Sequence, residues 1–404
     1  MRRAWLACAV ALAAGCQSID CSIGKVAEQP GATSAATAAG TQPGNPTELS
    51  TPAYPIRTSG TSFVDASGRP FEWRGITAFR LAEMVANGRE PDATAYLDWT
   101  KSEHLTVVRV LLMAQHLFKL TPEAGRGALP RLLDLAKARG IAVEVVALAD
   151  TKDAVLDYEA HIREVGRIAL ERGNALVEIA NEPGHPTQDP KLHDPAFARR
   201  LAALLPDPLA VALGSVEYGE GFGNGEYVTT HLPRGQKDWD HVLAVKDGAR
   251  LLSQFRKPVI SDEPIGAGPE YQPGRRDNEP SRFAAAAALT RFVGMSGTFH
   301  YEAGLQAKIP RGREAACLAA WQMGLALVKD VPHDGELLEG RQLAEIIQTP
   351  PARAAFGRVT ADRAVVLLID PRPQASLTLA TGWKEARRSG VPGVQILFLE
   401  RSSP

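Results

Sequence analysis

Two glutamates stand in matching surroundings. Glu182 falls in ALVEIANEP and Glu263 in KPVISDEP, each after an apolar, β-branched run and directly before a proline. They lie 81 residues apart (263 − 182). Proline has no amide hydrogen to continue a sheet ladder, so each run is expected to stop at its acid. Two carboxylates on separate strands suit cleavage of a glycosidic bond. One protonates the departing oxygen, and the other attacks the anomeric carbon or activates a water. Other reactive side chains end similar runs: Asn181, Asp262, Asp150, His231, and the His300-Tyr301 pair. Arg109 sits mid-run in LTVVRVLLM. One reading makes it partner to Glu144 or Glu178, mid-strand charges in a barrel interior. Glu178 precedes Glu182 by four residues, so on a strand both face the same way, with Glu178 about 13 Å deeper at ~3.3 Å per residue. A carboxylate at that depth must be paired, and Arg109 is its natural partner.

The elements that must position these groups come as a rhythm. The runs are WRGITAF, LTVVRVLLM, IAVEVVAL, ALVEIAN, LAVALGS, YVTTH, KPVISDE and GTFHYE. Between most of them lie patterns of helical period, such as ALPRLLDLAKARG and AVLDYEAHIREVGRIALERG, the two ending in Gly140 and Gly173 as caps. The fifth unit has no convincing helix in GSVEYGEGFGNGE. Eight β–α units predict an α/β protein, a (β/α)8 TIM barrel over residues 54–345. An open doubly wound sheet would be expected to show a Gly-rich loop after its first strand, and WRGITAFRLAEM has none. SFVDASGRPFEW predicts an N-terminal hairpin around Ser67-Gly68. Residues 346–404 predict a small β-rich C-terminal appendage of three or four antiparallel strands. In a barrel of this kind chemistry gathers at the C-terminal strand ends, where Glu182 and Glu263 fall.

ALVEIANEP and KPVISDEPIG together resemble the fourth- and seventh-strand signatures of the retaining barrel glycoside hydrolases, the cellulase and mannanase superfamily of family five and its clan relatives. FVDASGRPFEWRGIT is similar to that family's entry hairpin and first strand, and VVRVLLM to its second, so the resemblance covers most of residues 60–305. It implies that Glu182 is the acid/base and Glu263 the nucleophile of a double displacement on β-glycosidic bonds in an oligo- or polysaccharide. It also implies that Asn181 contacts the sugar 2-hydroxyl, that Arg109 supports the nucleophile from below, and that His231 lines the cleft. No cofactor and no metal is implied. The chain departs from the pattern at Pro233, where many relatives carry a tyrosine touching the nucleophile. It departs again at Phe299-His300-Tyr301, where many carry a sugar-stacking tryptophan. His300 and Tyr301 therefore become cleft candidates, and Phe79, Tyr218, Trp239 and Tyr301 are aromatics available to stack on a sugar. Two rival readings are a carbohydrate-binding surface lipoprotein on a decayed barrel and a transglycosylase using the same acids.

Composition narrows the partners. Lys+Arg total 45 against 46 Asp+Glu, which gives no electrostatic case for nucleic acid or an anionic membrane surface. Zinc, nucleotide and serine-hydrolase signatures of the His-Glu-x-x-His, Gly-x-Gly-x-x-Gly and Gly-x-Ser-x-Gly kinds are missing. Residues 1–16 read as an export signal: a basic start, an apolar run too short to span a bilayer, then LAAGC. LAAGC resembles the lipobox of bacterial lipoproteins, with Ala13 where leucine is usual, which makes Cys16 the lipidation candidate. Residues 17–53, rich in Ala, Thr, Gly, Pro and Ser, read as a flexible linker. The expectation is an exported, membrane-anchored monomer touching the membrane only through its lipid. Cys317, in AACLAAWQMGLALV, is expected to be buried and inert.

Overall fold

Val, Ile, Leu and Ala fill the eight runs because a barrel strand is covered on both sides, by helices outside and by its neighbours' side chains inside. The computed structural model describes residues 51–217, 219–232, 238–268, 276–331, 335–350, 352–372 and 376–402. The signal, Cys16, most of the linker, Tyr218 and Pro233 lie outside the described residues.

All eight runs are parallel strands of one sheet. They are Arg74–Thr77, Val107–Leu111, Ala142–Leu148, Ala175–Ala180, Val211–Gly214, Val228–Thr230, Val259–Ser261 and Ser296–Phe299. Hydrogen-bonded neighbours run in the order fifth, fourth, third, second, first, eighth, seventh, sixth. A single parallel bridge, Val216 to Thr230, brings the fifth and sixth strands together and nearly closes the ring. Helices alternate with strands as in a (β/α)8 barrel, and among the described residues none lies between the fifth and sixth strands. The helix Tyr158–Arg172 shows how the ends are set: Asp157 accepts from the amide of Ala160, and Gly173, at φ 82°, ends the helix in the left-handed region.

Inward-facing side chains form layers of period two. The floor is apolar, with Val107, Ala142, Leu176, Ala212, Tyr227 and Ile260 packed on Ile56, Phe63, Phe71 and Trp73 of the N-terminal segment. Two residues along each strand, Arg109, Glu144 and Glu178 form a charged layer, all fully buried. Two further on, Leu111 and Val146 pack with Phe79. The hairpin differs from expectation. Ser62–Val64 pairs with Arg57–Ser59, upstream of it, while the Ser67-Gly68 turn returns only through the Val64–Pro70 bridge.

The C-terminal appendage is larger than three or four strands. Five antiparallel strands run in the order 336–339, 352–359, 363–371, 394–401, 383–391, and a further pair joins 347–349 to 378–379. Its first strand lies ten residues upstream of the boundary read from the sequence (346 − 336). Within Arg363–Pro371 alternate residues part company. Val365, Leu367 and Ile369 seat on the barrel helix Pro280–Val293, while Val366 and Leu368 join a second apolar cluster behind the sheet. Cys317 is buried, and burial pushes its thiol up to about 12, outside the reactive range.

Candidate active site

The fourth strand delivers its acid by a sharp turn. The amide of Asn181 still bonds to the carbonyl of Leu148, 2.9 Å, and the ladder then stops. Glu182 adopts φ 39°, a left-handed conformation uncommon for a side chain with a Cβ and typical of functional turns. Pro183 can tuck behind it because residue 214 is glycine: a Cβ there would meet the Pro183 ring at 2.5 Å. The loop is tied down by Gln188, whose amide donates to the carbonyl of Asn181 and accepts from Thr151 Oγ1 at 2.8 Å. The Glu182 side chain is 27% exposed, whereas Glu178 is fully buried, as their spacing predicts.

The seventh strand ends in two acids, and burial tells them apart. Asp262 is completely enclosed, while Glu263 keeps 11% of its side chain exposed. Beneath both lies Arg109. Its guanidinium donates to Glu178 Oε2 at 2.9 and 3.2 Å, to Glu263 Oε2 at 3.2 Å and to Asn181 Oδ1 at 2.9 Å. It also lies 3.2 Å from Asp262 and 3.7 Å from Glu144, and stacks 5.5 Å over the Phe79 ring. The two sequence readings of Arg109 therefore hold together, since one fork serves the buried acids and the strand-tip acid at once. Burial alone would lower the arginine's pKa, but the surrounding carboxylates raise it well above its ordinary value. Asp262 shows the reverse. Burial would lift it, and Arg109 with His231 hold it below the usual carboxylate range.

His231, from the sixth strand, is the junction between the two glutamates. Nδ1 lies 3.0 Å from Glu182 Oε1, and Nε2 lies 3.5 Å from both Asp262 Oδ1 and Glu263 Oε2. Burial would push this imidazole down, but Asp262, Glu263 and Glu182 together raise it to about 10, so it is imidazolium at neutral pH. A raised folded pKa means the native state holds a proton that the unfolded chain releases. The stabilisation is full below pH 6.5 and falls away as pH rises to about 10. Urea midpoints across pH 6–10 are expected to fall more steeply for the wild type than for His231→Gln; parallel curves would remove the imidazolium.

The remaining candidates divide. His300 is buried beside the site, with Nδ1 2.9 Å from Thr77 Oγ1 and Nε2 3.8 Å from Glu263 Oε1. Tyr301 does not face a cleft. It is fully buried and stacked on Phe299, with its hydroxyl bonded to Tyr96 and to the Lys308 carbonyl. Its ring has no face left for a sugar. Phe79 is likewise buried, against Arg109. Trp239 is half-buried against the apolar cluster that contains Val242 and Val245. Asp150, in a left-handed conformation, accepts from the backbone amide and Nδ1 of His116, whose side chain is half exposed. Sequence reasoning missed Ser215, which donates into the acid cluster. Its place just past LAVALG, at the tip of the fifth strand, was the available signal.

No family model matches the chain, and no curated protein matches it in sequence. Solved structures do. The chain is similar to a glycoside hydrolase at 16% identity, with TM-score 0.61 over 87% of this chain and 98% of that one. It is similar to a glycoside hydrolase family 5 protein from Bacteroides vulgatus at 14% identity, with TM-score 0.58 over 86% and 93%. A β-glucanase from Saccharophagus degradans, solved in complex with cellotetraose, matches at 12% identity, with TM-score 0.53 over 70% and 98%. The chain thus has the fold of these glycoside hydrolases, a (β/α)8 barrel.

Proposed function

We propose that the chain is a retaining glycoside hydrolase acting on β-glycosidic bonds of an oligo- or polysaccharide. The observation that carries this reading is the pair of strand-tip glutamates meeting opposite nitrogens of one imidazole, above an arginine that bonds Glu263 directly. Retention uses carboxyl groups about 5–5.5 Å apart, close enough for one to attack carbon while the other serves the leaving oxygen. Glu263 Oε attacks the anomeric carbon as Glu182 gives its proton to the departing glycosidic oxygen, forming a glycosyl ester and a free sugar hydroxyl. Glu182, now ionised, takes a proton from water, whose oxygen displaces Glu263 and restores both side chains. Arg109 stabilises the carboxylate of Glu263 before attack and after release. Asn181 bonds the sugar 2-hydroxyl in this reading, which its hydrogen bond from Arg109 beside Glu263 supports. The cellotetraose bound by the β-glucanase of the same fold supports an oligosaccharide as the substrate class.

Incubation with a panel of 2-fluoro β-glycosides, followed by peptide mass spectrometry, tests the assignment. A stable label is expected on Glu263. A label on Asp262 or elsewhere would overturn the assignment of the nucleophile. Sugar binding without labelling would favour a carbohydrate-binding protein, and transfer of the glycosyl group to added sugars in place of release would favour a transglycosylase.

We also propose that the chain is exported and anchored through a lipid on Cys16, which LAAGC supports. Cys16→Ser is then expected to move the protein from the membrane fraction to the soluble fraction. A wild-type chain already soluble would remove the anchor.

A further inference from the structure

Beneath the strand-tip glutamates, one hydroxyl touches two carboxyl groups. Ser215 Oγ lies 2.5 Å from Glu178 Oε1 and 2.6 Å from Asp262 Oδ2, and all three side chains are buried. Both contacts are hydrogen-bond distances between oxygens. A serine hydroxyl carries one hydrogen, and an ionised carboxylate carries none. Two such contacts need two hydrogens. With both acids ionised, one contact would press bare oxygens together where no water screens them. One carboxyl must therefore supply the second hydrogen.

The partners of each acid say which one. Asp262 lies 3.2 Å from Arg109 and 3.5 Å from His231, two cations. Glu178 meets Arg109 through Oε2 alone, and its Oε1 faces only the Ser215 hydroxyl among the contacts that define the cluster. The groups facing Glu178 are Arg109 from the second strand, Glu144 from the third, His231 and Tyr227 from the sixth, and Asp262 from the seventh. Five carboxyl groups, Glu144, Glu178, Glu182, Asp262 and Glu263, thus crowd Arg109 and His231, so a neutral Glu178 lowers the surplus of negative charge. Burial and Asp262 push Glu178 the same way, above its ordinary range.

We infer that Glu178 is a carboxylic acid at neutral pH, donating its proton to Ser215 Oγ, which donates in turn to Asp262. The relay fixes the direction of both hydrogens and leaves Asp262 ionised. Ionised Asp262 then faces Nε2 of His231 at 3.5 Å as a counter-charge, and Nδ1 of the same ring faces Glu182. Glu178 is accordingly a positioning residue, with Ser215, Asp262 and His231 between it and Glu182, a role that rests on the glycosidase reading, whereas the proton itself does not.

Infrared spectroscopy of the whole chain tests the proton without turnover. The wild-type minus Glu178→Gln difference spectrum at pH 7 is expected to contain a carboxylic acid carbonyl band, and Ser215→Ala is expected to shift that band by removing its acceptor. An acid band that survives Glu178→Gln and vanishes in Asp262→Asn would overturn the inference, as would a band that Ser215→Ala leaves in place. Thermal unfolding gives an independent reading. A carboxyl with a raised folded pKa loses stability as pH climbs above the unfolded value, and glutamine has no proton to lose. Glu178→Gln is therefore expected to gain in Tm relative to wild type between pH 5 and 8. A large Tm loss at every pH would mark Glu178 as an ionised partner of Arg109 and end the proposal. Absence of glycosidase activity alongside the acid band would defeat the functional reading and leave the proton in place.

Discussion

Glu263→Ala is expected to reduce turnover by about 10^5-fold, the scale on which enzymes lose rate when a covalent nucleophile is removed. The backbone around Glu263 needs no rearrangement to accept the change. Asp262, fully buried, keeps its bonds to Ser215 and its ion pair with Arg109. The space left by the carboxylate lies beside Arg109, so an added small anion such as azide is expected to enter and attack in its place. The product would be a glycosyl azide of inverted configuration. Glu182→Ala is expected to cost less, about 10^2–10^4-fold, the usual yield of general acid–base catalysis. That loss should shrink for aryl glycosides whose leaving group needs no proton. Equal losses on all substrates, or azide products of the same configuration from both variants, would reverse or dissolve the two roles.

Arg109→Met is expected to destabilise the fold by about 3–5 kcal/mol, the cost of leaving buried charges without their partner. The Arg109 guanidinium meets Glu178, Asp262, Glu263 and Glu144 within 3.7 Å. The deficit should depend on pH. Asp262 is held below its ordinary pKa of 3.8 with Arg109 as the main cause, so its share of stability is present above pH 3.8 and fades as acid protonates it in the folded state. The variant has little of that share to lose. Urea midpoints of wild type and variant are thus expected to differ most at pH 7 and to converge towards pH 3. A constant gap across that range would show that lost packing, not charge, causes the damage.

Much of this site was legible in the sequence because barrel strands write a plain code. Eight runs of β-branched residues became eight strands, and among the described residues no helix lies between the fifth and sixth, where the sequence lacked a helical pattern. Parity along ALVEIANEP put Glu178 and Glu182 on one face, and the strand's rise over four residues set Glu178 deep and buried and left Glu182 accessible. Where the period ends, legibility ends too. Tyr301 follows the last residue of the eighth strand, Phe299, by two positions, and there the chain turns its ring into the core beside Tyr96. The burial difference between Asp262 and Glu263 was equally invisible, because two adjacent residues past a strand end have no fixed alternation. Arg57–Ser59 and Glu336–Glu339 escaped notice because three or four residues, RTS and ELLE, are too few to carry a pattern to detect. The Ser215 hydrogen bonds depend on side chains from the fourth, fifth and seventh strands meeting at one point, which no local stretch encodes.

The sealed floor has a practical consequence. The described chain starts beside the barrel's lower loops, where Thr51 lies against Gly140 and Tyr54 against Gly173, and Ile56 enters the apolar plug. Glu182 and Glu263 open at the other end. A graft of this barrel onto a bead, an electrode or another protein through a spacer before residue 51 would leave the strand tips unobstructed. The plug keeps the graft out of the interior, and so does the charged layer stacked above it.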